Sequence, residues 1–331
     1  MTQVRALVVA PLCAILAACA HAQDVVALTL ERTISLPGVA GRIDHLAVDP
    51  DHKRIAVAEL GNNSIDIVDL ASGGAIHRLT EVGEPQGVAF DQTGRFLLAA
   101  SRNDGALHLF DASSFEHLAS LSLGKDADNV RIDPRNGHAI VGYGDGALAI
   151  VDLDARTILT RIDLPAHPES FQIDQETGRA YVNLPDARTI GVVDLDGGDV
   201  IARWKLPLAL WNYPLALAPS EEQLVSVFRA PAQLVQFNRN SGAQTGSTST
   251  CGDADDVFYD GARQRIYVAC GGGGVDVFDG SGAQPKRISH ADTGAGARTA
   301  LFDPVLDRLF VAARSPGGGK PASILVFKPV D

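Results

Sequence analysis

The chain has 331 residues and a formal charge of −12 at pH 7. That length suits one large all-β domain or two ordinary ones. The acidic balance argues against a nucleic-acid partner, since no basic patch offsets it, and favours cations or cationic partners. No helical period stands out, whereas short alternating runs bounded by Gly, Asp, Asn and Pro recur throughout.

Residues 1–22 read as a secretory signal. Arg5 is the lone early charge, an apolar run from Ala6 to Ala18 follows, and Ala20-His21-Ala22 supplies small residues for cleavage. The run is too short to span a bilayer, and no other segment is long and apolar enough. Residues 23–331 are then one mature domain, periplasmic or secreted. Leu16-Ala17-Ala18-Cys19 offers an alternative, a lipoprotein anchored through Cys19. Cleavage at Ala22 leaves Cys251 and Cys270, an even pair in an oxidising compartment. They form either a disulfide or two free thiols.

From the mature N-terminus onward the chain repeats. An apolar-x-apolar-Asp phrase ends at Asp49, Asp91, Asp133, Asp174, Asp260 and Asp303, with Ala218 in the equivalent place, at steps of 42, 42, 41, 44, 42 and 43 residues. A second anchor follows each time, at Asp69, Asp111, Asp152, Asp194, Asn238 and Asp279, and at Lys328 in the last copy. Two anchors keeping one period establish a repeat. The first unit reads as strands over 45–49, 54–60, 64–70 and 75–80, and the others follow it. Four strands per unit and seven units predict an all-β fold, a seven-bladed β-propeller. The last unit stops after three strands, and the unclaimed segment 26–37 is placed to supply its fourth. The anchoring Asp needs no functional role, because its side chain can bond the backbone of the turn that follows.

Function is sought where the repeats differ. With the first anchor as zero, positions −1 and −3 are apolar and pack blade against blade. Position −5 holds Asp44, Gln86, Asp128, Glu169, Tyr213, Asp255 and Arg298, and position −7 includes Arg42, Glu84, Asp126, His167 and Asp253. A period of two puts −5 and −7 on one face, so these residues ring the mouth of the central channel. Asp126 and Asp128 would face Asp253 and Asp255, three blades away. His45, Asn129 and Asp256 stand at −4, with Arg131 nearby, and hairpin pairing would set Glu59, Tyr143 and Cys270 beside Asp44, Asp128 and Asp255. Arg229 closes a second strand at the same rim.

So many carboxylates repel one another by about 4 kcal/mol per close pair near a protein surface, and a divalent cation at Asp128 and Asp255 would relieve them. Oxygen-rich sites suit calcium or magnesium best, while His45 and His167 also admit a transition metal.

RIYVACGG at 265–272 and RAYVNLPD at 179–186, set in a 42-residue repeat, resemble the YVTN-repeat β-propellers, which include YncE-like exported bacterial proteins. The resemblance implies seven blades and export, and no common reaction. Some YncE-like proteins are linked to DNA binding, from which this acidic chain departs. Two functions follow as expectations. One is binding of a small molecule, metal ion or partner protein in the acidic funnel. The other is metal-dependent hydrolysis or lyase chemistry there, lactonase-like, with His167 or Glu169 as base.

Overall fold

Alternating apolar residues make these segments strands, and the Asp and Gly residues between them make the strands hairpins. The computed structural model describes residues 25–49, 51–206, 210–218 and 222–331. It contains seven antiparallel sheets of four strands each. The leader and lipobox expectations lie outside the described residues. Blade one runs outward through Leu46–Asp49, Arg54–Glu59, Ser64–Asp69 and Ala75–Leu79. The inner strands of successive blades touch all the way round, so Thr299–Asp303 of blade seven meets Leu46–Asp49 of blade one. Among the described residues no helix is long and apolar enough to cross a membrane.

The N-terminal strand closes the ring. Leu28–Leu36 lies antiparallel to Ala322–Pro329, with Leu28 opposite Pro329 and Leu36 opposite Ala322, and it is the outer strand of blade seven. Joining both ends of the chain in one sheet holds the circle shut without a helix or long loop.

Stability comes from between the blades. Seven hydrophobic clusters occupy the seven blade interfaces. Each contains the −3 residue of an inner strand: Leu46, Val88, Val130, Phe171, Leu215, Val257 or Ala300. The interface between blades seven and one has the same character as the rest. Ile34 and Leu36 of the closing strand pack there with Ile55 and Val57.

The first-anchor aspartates do the local work expected of them. Asp133 accepts the N–H of Arg135 at 3.0 Å, Asp174 that of Glu176 at 3.0 Å, and Asp303 that of Leu306 at 2.7 Å. Arginines then tie these turns to neighbouring blades. Arg135 bridges Asp133 and Asp196, Arg239 reaches Asp174 and Glu176, and Arg263 joins Asp260 to Asp307. Cys251 and Cys270 form a disulfide with Cα atoms 5.9 Å apart, fixing the start of blade six to its second strand.

Candidate functional site at the channel mouth

The inner strands do not begin as regular β-structure. In blade one the Asp44 N–H donates to the Ala58 carbonyl, and the Ala58 N–H donates to the His45 carbonyl. Two residues thus oppose one, a β-bulge. Glu169 and Ser170 oppose Asn183 in the same way. One-residue register shifts fall at this height in blades two, three, five and six. The extra residue brings the −5 and −4 side chains of a blade to the mouth together. Asp44 with His45, Asp128 with Asn129, and Asp255 with Asp256 all line one polar cavity of about 30 Å³, alongside Glu169, Tyr213 and Arg42.

Three of the −7 residues do not belong to this face, and here strict alternation misleads, although Arg42 at −7 does line the cavity. Glu84, Asp126 and Asp253 have φ of 44, 48 and 60°, in the left-handed region. That turn breaks the alternation and leaves them on the outer rim. Asp126 bonds Gln86 at 3.3 Å and pairs with Arg102 at 3.5 Å, and Asp253 pairs with Arg298 at 2.9 Å. None of Glu84, Gln86, Asp126 and Asp253 lines the cavity. The bulge also shifts the hairpin register, so Tyr143 stands opposite Ala127 and Cys270 opposite Ala254 rather than beside Asp128 and Asp255. Tyr143 takes a hydrogen bond from Arg161, and Glu59 is buried against Ser64, away from the ring. Arg131 lies deeper in the channel.

Blade two contributes a glycine at −4. A Cβ on Gly87 would sit 2.1 Å from the Asp128 carbonyl oxygen, so only glycine lets blade two approach the bulge that carries Asp128.

The carboxylates fall into two groups. Asp255 is held by arginine: Arg229 bonds it directly, and Arg298 Nε lies 2.8 Å from its Oδ2. Arg229 in turn stacks on the Tyr213 ring, 4.2 Å from its centroid. The second group has atoms with no hydrogen-bond partner. Asp44 gives one oxygen to Arg42, while its Oδ2 is buried and unbonded. His45 Nε2 bonds Asn129 Oδ1 at 3.0 Å, leaving Nδ1 buried and unbonded, 3.5 Å from Asp44 Oδ2. Asp128 Oδ1 is likewise buried and unbonded, while its Oδ2 lies 3.5 Å from His167 Nε2. Ligand atoms of Asp44, His45 and Asp128 lie within 4.8 Å of one another, a group able to hold a metal ion.

Protonation follows from this crowding. Burial opposes a charge on His45, yet the neighbouring Asp44 raises its pKa to about 9. His167 is raised to about 9 against the same penalty by Asp128 and the Gly144 carbonyl. Burial, with Asp128 adding to it, raises Glu169 to about 8, and burial raises Asp256 to about 7. Asp44 goes the other way: burial would raise it, but His45 and Arg42 together hold it below the usual carboxylate range. At neutral pH the mouth therefore retains protons that the unfolded chain would release.

Arg42, Ser170 and Thr299 also line the cavity. Their positions, −7 and −4, are visible in the repeat, but Arg42's ion pair with Asp44 is not, because it depends on the incoming loop. Another cavity, of about 440 Å³, lies at the outer seam of blades seven and one. Its Arg308 is spent on Glu31 and its Arg32 on the Leu70 and Ala71 carbonyls. No protein-family model and no curated protein matches the chain. The geometry of the mouth carries the functional reading by itself.

Proposed function

We propose that this is an exported β-propeller of the YVTN-repeat kind that binds a divalent cation at the mouth of its channel, through Asp44, His45 and Asp128. The observation that carries the reading is that ligand atoms of Asp44, His45 and Asp128 lie within 4.8 Å of one another, in three residues that each keep a buried side-chain atom without a hydrogen bond. Buried polar atoms are ordinarily satisfied, and each one left bare costs about 1–3 kcal/mol. The bond from His45 Nε2 to Asn129 supports the same reading. It holds the ring in place and, with the proton on Nε2, leaves the Nδ1 lone pair for a metal. An imidazole nitrogen beside two carboxylates shifts the choice of ion from calcium and magnesium toward zinc or manganese.

Size separates binding from catalysis. A cavity of about 30 Å³ has room for an ion and very little water. A lactone or comparable substrate needs roughly ten times that. Glu169, with a pKa raised to about 8, would suit a general acid or base in the hydrolase or lyase reading. Nevertheless, Glu169 lines this small cavity and not the larger chamber beneath it that His45 and Asp256 also line, and binding is the better reading. Elemental analysis of native protein and calorimetric titration of metal-stripped protein test it. One zinc or manganese ion per chain is expected, lost in Asp44→Asn and in His45→Gln. Native protein free of metal, together with no heat on titration, would end the reading.

A further inference from the structure

Beneath the mouth the channel widens into a chamber of about 340 Å³, within the size range of small-ligand sites. Its lining comes largely from position −2, where alternation again holds. Ala47, Ala89, Phe258 and Leu301 make most of the wall apolar, and Arg131 and Gln172 make two adjacent blades polar. Gln172 spends an amide N–H on the Leu215 carbonyl at 2.9 Å.

Arg131 is the anomaly. Its guanidinium lies over the Phe171 ring at 5.8 Å and donates one N–H, from Nη1, to the neighbouring Val130 carbonyl at 2.9 Å. Among the described residues it makes no ion pair. Burial lowers its pKa, while Asp256 and Asp128 act on it only as more distant charges. A cation with five donors is thus half-buried against a mostly apolar wall with one donor used on the protein, an arrangement that an anion would complete. His45 and two carboxylates also face the chamber, and both carboxylates are engaged by backbone. Asp256 accepts the Ala300 N–H at 2.8 Å and Asp303 the Leu306 N–H at 2.7 Å.

We propose that this chamber binds a small organic carboxylate, its head on Arg131 and its apolar body against Phe258 and Leu301. A planar guanidinium matches a carboxylate with two parallel bonds, and the walls favour an acid with a hydrocarbon or aromatic body over an inorganic oxyanion. Arg131, Phe258 and Leu301 take no part in the cation cluster, so this inference can fail while the cation reading stands.

Fluorine NMR of 4-fluorobenzoate, titrated with the full-length metal-free protein, tests it. 4-Fluorobenzamide serves as the neutral isostere and inorganic phosphate as competitor. Saturable binding of the acid is expected, with the amide weaker by about tenfold or more, the range set by a charged hydrogen bond. Arg131→Gln should weaken the acid by about the same factor and leave the amide unchanged. Arg95→Ala, at an exposed interblade pair, should bind the acid like the unaltered chain. Equal binding of acid and amide, no saturable acid binding at millimolar concentration, or displacement of the acid by equimolar phosphate would overturn the proposal. Should Arg131→Gln fail to fold, the contrast between acid and amide in the unaltered protein still decides.

Discussion

Two rings of aspartate encircle this molecule, one at each end of the inner strands, and they are built on opposite principles. At the turn end, Asp133 and most of its equivalents are buried, and each is bonded to backbone N–H groups, several to an arginine as well. At the mouth, Asp44 and Asp128 are equally buried, yet each keeps an oxygen bare. The first ring is a structural repeat, because any blade needs its turn closed. The second departs from the repeat. It stores unsatisfied charge in a cavity too small for an organic ligand, and protons on His45, His167, Glu169 and Asp256 help to balance it. Two aspartates of similar burial should therefore contribute very differently to stability.

The sharpest way to break this contrast is paired substitution in metal-free protein. Asp133→Ala should cost about 3 kcal/mol, because Arg135 is left without its buried partner. Asp128→Asn should be near neutral, within about 1 kcal/mol either way, since the lost pairing with His167 is offset by relief of repulsion toward Glu169 and of a charge whose Oδ1 has no bond. Urea midpoints with an unchanged slope would check both, and equal losses would erase the distinction. With saturating zinc the Asp128 substitution should become destabilising.

Next in size is the disulfide. It closes a loop spanning a sequence separation of 19 residues, and its reduction should cost about 3 kcal/mol. Because it pins the segment that begins Asp253, Asp255 and Asp256, cation affinity should fall with it. A reduced protein with unchanged melting temperature would contradict this.

A pH series separates the rings further. His45, His167, Glu169 and Asp256 have folded pKa values raised to about 9, 9, 8 and 7, so the stability they contribute is complete at low pH and is lost as pH rises toward 9. Asp49 and Asp133 behave oppositely. Burial would raise them, but Arg54 with His52, and Arg135, hold them low, so their contribution is lost below about pH 4. Metal-free protein should be most stable near pH 5, and a melting temperature that climbs steadily from pH 5 to 9 would refute the assignment. The smallest effect belongs to an exposed interblade pair. Arg95→Ala, which breaks the bond to Asp154, should change stability by less than about 0.5 kcal/mol. A larger loss would mean that the turn-end arginines act as a network.

The architecture was legible in the chain because two anchors kept one period and a strand was missing at one end and spare at the other. The mouth was legible in part. Asp44, Asp128 and Asp255 were found at −5 because the apolar pattern stops there. The bulge was not foreseen, because an inserted residue changes backbone pairing without marking composition. Glu59, Tyr143 and Cys270 were consequently set one residue out of register. The left-handed residues at 84, 126 and 253 were missed for a related reason, since Glu and Asp carry none of the warning that glycine gives. Gly87 carried a usable signal, being the one glycine at −4, where the other blades carry His, Asn, Ser, Pro, Asp or Thr.

The central claim is that protons occupy the mouth in place of a cation, and the most direct measurement counts them. Zinc titrated into metal-free protein at pH 7.5, in buffers of differing ionisation enthalpy, reports the protons released per ion. About two are expected, chiefly from His45 and Glu169, falling to about one in Glu169→Gln. Zinc binding with no proton release, or release unchanged in Glu169→Gln, would contradict the account.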